Sequence, residues 1–97
     1  MVGILRKELG ASFHNVGLYH WRTSNGAEVD IVMERDGKLT PIEIKCKTAL
    51  NAYDARGIKS FNETYGDKVN LGYIIYAGRE CYKVNDKITA VPWNAIF

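Results

Sequence analysis

Apolar and polar positions alternate along residues 28–34 and again along 39–46, the two-residue period of strands with one covered face. Asp36 and Gly37 lie between them and signal a two-residue hairpin turn. Residues 19–23, rich in aromatics, predict an earlier strand, closed by a turn at Ser24, Asn25 and Gly26. From 52 to 65 the period changes to that of a helix, with Ile58, Phe61 and Tyr65 on one face. Asn51 stands as its N-cap, Asp54 at the third helical position and Gly66 as its stop. Residues 69–76 and 81–84 predict two further strands, with Ala77, Gly78, Arg79 and Glu80 between them. Val91, Pro92 and Trp93 predict an edge segment laid over the core. At the other end, Ile4, Leu5 and Leu9 share a face and Gly10 is a stop, so residues 3–10 predict a short helix. A helix of under two turns is marginal unless packed, so one beginning this close to Met1 suggests a piece of a longer protein.

The expected order is therefore αβββαββ. Short links make the first three strands antiparallel, and the helix between the third and fourth is long enough for a parallel crossover. The expectation is a single α/β domain, a mixed β-sheet flanked by helices.

The hairpin is the most informative segment. A type I′ loop at Asp36 and Gly37 sets Arg35 against Lys38, and hence Asp30 against Glu43 and Glu28 against Lys45. Alternation then gathers Glu28, Asp30, Glu43 and Lys45 on one face and leaves Val29, Ile31, Ile42 and Ile44 on the other as candidate core. An ordinary solvated face accounts for Glu28 with Lys45 as a cross-strand ion pair worth under ~1 kcal/mol. It accounts poorly for Asp30 opposite Glu43, because facing carboxylates destabilise a sheet. A divalent cation between them reverses that sign, and Mg²⁺ commonly takes one or two carboxylates with water. The main-chain carbonyl of Ile44 lies where it can add a ligand. Lys45 is within reach of a bound water or a phosphoryl oxygen.

Composition narrows the class without choosing a chemistry. Ninety-seven residues, 46% hydrophobic and 25% charged, suit one globular domain. The net charge of +2 permits a phosphate-rich partner without arguing for one. Cys46 and Cys81 lie in apolar runs with no CxxC or Cys/His cluster, which argues against zinc and for buried free thiols in a reducing, cytoplasmic setting. No apolar run approaches ~18 residues, so no membrane association is expected. His14 and His20 have no partner at ligand spacing and are expected to be structural. Arg22 is a candidate for the positive rim of a nucleic-acid groove, and Arg56 and Lys59 on the polar side of the second helix are candidates for phosphate contact. Tyr19, Trp21, Tyr73 and Tyr76 are candidate stacking platforms, though strand aromatics are more often core.

Asp30, followed by Pro41-Ile42-Glu43-Ile44-Lys45, resembles the D…(D/E)xK signature of the PD-(D/E)XK nuclease superfamily. The run WRTSNGAEVD from Trp21 to Asp30, the Ile42-Glu43-Ile44-Lys45 stretch and the closing Pro92-Trp93 are similar to a narrower group. That group is the nuclease-like C-terminal domain of many bacterial and archaeal AAA+ family ATPases, and the resemblance covers nearly the whole chain. It implies a restriction-endonuclease-like fold, with Asp30 and Glu43 binding Mg²⁺ or Mn²⁺ and Lys45 as catalytic lysine for phosphodiester hydrolysis in DNA. It also implies an AAA+ ATPase domain in the parent chain, because no GxxxxGK phosphate loop is present here. Superfamily members often carry a further Glu on the first helix. Glu8 is the helix candidate for it, and Glu28 is a second accessory acid. The alternative is a catalytically inactive module on the same fold, serving nucleic-acid binding, homodimerisation or regulation of the ATPase.

Overall fold

A computed structural model describes the backbone of residues 3–13 and 16–95 and the side chains of 16–95. Seven strands form one mixed sheet: β1 (Gly3–Phe13), β2 (Val16–Thr23), β3 (Glu28–Arg35), β4 (Lys38–Lys45), β5 (Gly72–Tyr76), β6 (Tyr82–Asn85) and β7 (Ile88–Pro92). Their spatial order is β1-β2-β3-β4-β5-β7-β6. A 3₁₀ turn at Ala52–Ala55 leads into the one α-helix among the described residues, α1 (Arg56–Tyr65). The α/β class and the mixed sheet match the sequence expectation: β2, β3 and β4 are antiparallel, and β4 runs parallel to β5 through α1.

The expected first helix is a strand. Residues 3–7 pair antiparallel with 19–23, and Ser12 and Phe13 with Gly17 and Val16. A short apolar run cannot tell the two periods apart, and the exposed edge of β2 supplied the ladder that decided it. Glu8 thus lies in an edge strand and not on a helix. The sheet is covered by a helix on one face, not flanked by helices. The tail differs too. Val91 and Pro92 close β7, an interior strand parallel to β5, and Trp93 just beyond it is 53% exposed. Cys46 and Cys81 are free, as expected, but both are exposed.

Asp36 and Gly37 have φ of 54° and 78°, the doubly positive pair of a type I′ turn. The register follows as expected, from Arg35 opposite Lys38 to Ile31 opposite Ile42. The two faces do not follow. Leu39, Pro41 and Glu43 turn toward α1, whereas Ile42 is half-buried on the open face and Ile44 there is 48% exposed. In β3, Tyr19 faces Val32 but Trp21 faces Val29, so His20 alone opposes both Asp30 and Ile31. This is a β-bulge, and it inverts the alternation so that Val29 and Val32 both point into the core. Hydropathy alone had assigned Val29, Ile31, Ile42 and Ile44 to one row; the bulge splits that row.

The core lies between this face and α1. Trp21, Val29, Val32, Leu39, Ile74 and Ile88 from the sheet meet Ala55, Ile58 and Phe61. Trp21 stands edge-on to Phe61 with ring centroids 5.3 Å apart. Gly57 brings α1 hard against β3: a Cβ there would sit 2.1 Å from the Glu28 carbonyl oxygen. That close approach fixes the start of the helix over the hairpin.

Candidate metal centre

The β3–β4 ladder stops at Ile31–Ile42, one pair short of Asp30 and Glu43. Beyond that point the side chains take over the main chain's bonding. The Asp30 N–H donates to Glu43 Oε1 at 2.9 Å, and the Ile44 N–H donates to Asp30 Oδ2 at 2.9 Å. In a continued ladder Ile44 would face Val29; the bulge replaces that partner with the Asp30 carboxylate. The two acids are thus linked through main-chain N–H groups, not carboxylate to carboxylate as the hairpin register predicts, and Asp30 does not line the cleft that Glu43 borders.

Glu43 is 5% exposed. Burial pushes its carboxyl up from an ordinary 4.5 to about 7, and the neighbouring Asp30 charge adds to the rise; the Asp30 N–H and Lys45 oppose it. Lys45 Nζ lies 3.3 Å from Glu43 Oε2, so Lys45 pairs with Glu43 and not with Glu28. Glu28 turns to the open face, where its Oε2 is 3.4 Å from His20 Nε2. The other nitrogen of His20, Nδ1, is 3.2 Å from the Asp30 carbonyl oxygen. His20 thus spans the bulge and holds the main chain of Asp30.

Asp54 enters from the helix side. It is 6% exposed and takes Lys47 Nζ at 2.7 Å and the Asn51 N–H at 2.8 Å on Oδ2. The hydrogen bond from Lys47 holds its carboxyl below the usual value. Asn51 is the N-cap as expected, and Asp54 at the third position closes a capping box with it. The second use of Asp54, lining a cleft with Glu43 and Lys45, is one that sequence reasoning missed. Glu28, Glu43, Lys45, Asp54, Arg56 and Gly57 border one cleft of about 110 Å³. Arg56 stacks on Tyr53 at 4.7 Å and donates to the Gly26 carbonyl.

The remaining candidates are not gathered there. Arg22 projects from the open face opposite Glu28. Lys59 borders a separate depression with Asn85 and Lys87. The side chain of Glu8, and His14 entirely, lie outside the described residues. Of the proposed stacking residues, Trp21 is fully buried and Tyr76 is 4% exposed.

Among the described residues no group of three or more His, Cys, Asp or Glu converges as a metal cage. Two carboxylates, a carbonyl and water form a donor set suited to Mg²⁺ or Mn²⁺, which need no all-protein cage. Asp30 and Glu43 supply carboxylate oxygens of the kind such an ion takes, with Lys45 Nζ 3.3 Å from Glu43 Oε2. No described helix is long and apolar enough to cross a membrane.

Fold and site together define a mixed α/β domain with a paired-acid hairpin. The chain belongs to the family described as a domain of unknown function, DUF4143, whose model matches residues 2–96. No curated protein and no solved structure matches it.

Proposed function

We propose that this protein is a divalent-metal-dependent nuclease domain with a restriction-endonuclease-like arrangement of the PD-(D/E)XK type, hydrolysing phosphodiester bonds in DNA. The observation that carries the reading is the buried Glu43 carboxylate beside Asp30, with the Lys45 ammonium 3.3 Å from it. Asp30, Glu43 and the Ile44 carbonyl would hold Mg²⁺ or Mn²⁺. Such an ion supplies Lewis acidity and lowers the cost of deprotonating water. Lys45 would orient the attacking water or offset charge developing on the phosphoryl oxygens. His20 keeps the Asp30 main chain in place, and Lys47 neutralises Asp54 so that the cleft carries less excess anion. Arg56, at the mouth of the cleft, is the basic side chain best set to meet a phosphate.

The reading extends to a cytoplasmic protein whose domain serves an AAA+ ATPase in its parent chain. It is tested by incubating linear, branched and single-stranded DNA with the protein and Mg²⁺ or Mn²⁺. Cleavage is expected, and it should disappear in Lys45→Ala, Asp30→Asn and Glu43→Gln. Cleavage that survives all three substitutions would end the assignment.

One observation favours a second reading. Glu43 Oε1 and Asp30 Oδ2 both already accept main-chain N–H bonds. As staples between parting strands, the acids would suit a non-catalytic module for nucleic-acid binding, homodimerisation or regulation of the ATPase. That module would cleave no DNA form with either ion while retaining a measurable partner.

A further inference from the structure

A larger hollow of about 490 Å³ opens just past the end of β4, the strand that carries Glu43 and Lys45, between the chain following it and the loop following β5. Its place is chemically suggestive. β4 and β5 run parallel, and it lies beyond their carboxyl ends, where open α/β sheets commonly receive ligands. Its volume lies in the range of small-molecule sites, ~300–1,000 Å³.

The wall is built, not incidental. Tyr76 is 4% exposed and donates its hydroxyl to the Glu80 carbonyl at 2.6 Å, which pins the loop back onto the ring. Gly78 lies flat on that ring; a Cβ there would stand 2.2 Å from Tyr76 Cε2. The Ala77 N–H donates to the Lys47 carbonyl at 2.8 Å, tying the loop to the end of β4. Against this floor Tyr82 stands edge-on to Tyr76, centroids 6.1 Å apart, and remains 39% exposed. Arg79 supplies a guanidinium at the rim and Glu80 a carboxylate. Lys47 links the hollow to the cleft: its carbonyl accepts from Ala77 of the hollow at 2.8 Å, and its ammonium pairs with Asp54 of the cleft at 2.7 Å.

An exposed tyrosine ring on a rigid floor, with a guanidinium lining the same hollow, matches a base next to a phosphate. We propose that this hollow receives one nucleobase of the strand whose backbone crosses Glu43 and Lys45, with Tyr82 as stacking platform and Arg79 on a neighbouring phosphate. This rests on the nuclease reading and adds a subsite that gives the strand its register. Stacking tolerates every base, so the subsite would position a strand without strongly selecting its sequence.

The experiment measures binding of a labelled single-stranded oligodeoxynucleotide to the whole chain in Ca²⁺, by fluorescence anisotropy. Tyr82→Ala should weaken binding about tenfold and Tyr82→Phe, which keeps the ring, less than about twofold. Arg79→Ala should weaken it and flatten its salt dependence. A set of oligonucleotides, each lacking one base, supplies the decisive arm. At one position the wild type should lose the same factor, and Tyr82→Ala should lose nothing more. Equal losses in wild type and Tyr82→Ala at every position, or a Tyr82→Ala variant that binds as the wild type does, would overturn the subsite while leaving the nuclease reading intact. A wild type that binds no oligonucleotide would overturn both.

Discussion

Asp30 and Glu43 are joined reciprocally: the main chain of Asp30 donates to the carboxylate of Glu43, and the carboxylate of Asp30 accepts from the residue after Glu43. Each acid thereby substitutes for a ladder bond that the parting strands no longer make. The same arrangement holds one carboxylate buried beside another, so structure and charge are coupled at this point.

That coupling sets a pH dependence. Glu43 has its folded value raised to about 7, so between about 4.5 and about 7 the folded chain holds a proton that the unfolded chain has released. Its contribution to stability is fully present below about 4.5 and is lost as pH rises through about 7, on the order of 3 kcal/mol in all. Glu43→Gln should flatten this fall and be the more stable variant at pH 8. Urea unfolding at several pH values checks it; a wild type whose stability holds steady from pH 5 to 8 would contradict the assignment. Asp54 acts in another window, because its lowered value adds stability above about 3.8 that is lost on further acidification.

A dication should reverse the penalty at pH 8. At about 100 times its dissociation constant, Mn²⁺ should stabilise the wild type by ~2.7 kcal/mol, a rise in Tm of roughly 10–20 °C for a domain of this size. Asp30→Asn and Glu43→Gln should show little of that rise in the same thermal scan. Equal shifts in all three proteins would place the ion elsewhere.

His20→Ala should loosen the bulge without emptying the core, since His20 lies on the open face and bonds the Asp30 carbonyl. We expect Mn²⁺ affinity to fall about tenfold, in line with other residues that orient a ligand from behind. Titration calorimetry on a variant with unchanged circular dichroism is the measurement. An unchanged affinity would reduce His20 to a surface residue.

Gly57→Ala should be costly although alanine favours helices. The added methyl would meet the Glu28 carbonyl, so the helix must lift away from the hairpin, at about 1–3 kcal/mol or more. Chemical denaturation reads this directly, and a stabilised variant would show that the close approach is relaxed in solution.

Trp21 offers a contrast within the core. Its ring is fully buried against Phe61, yet its indole N–H is buried without a hydrogen-bond partner among the described residues. Trp21→Ala should cost about 3–5 kcal/mol, whereas Trp21→Phe should cost much less than the lost volume alone implies, because it also removes an unsatisfied donor. Similar losses for the two variants would indicate that the N–H is satisfied in solution.

The sequence by itself determined the hairpin, its type I′ turn and the register that brings Asp30 to Glu43, because those depend on local backbone preferences and a period of two. It also determined the N-cap at Asn51 and the parallel crossover through α1. What only the tertiary structure decided is which way each residue faces. One extra residue at Asp30 opposite His20 inverted the alternation in β3, sending Val29 inward and Glu28 outward, while unbroken alternation from Leu39 and Pro41 put Glu43 under the helix. A bulge is specified by the partner strand as much as by its own, so no local pattern announces it. The same reason made residues 3–13 a strand: a short apolar run takes whichever ladder its neighbour offers, and β2 had an edge to pair.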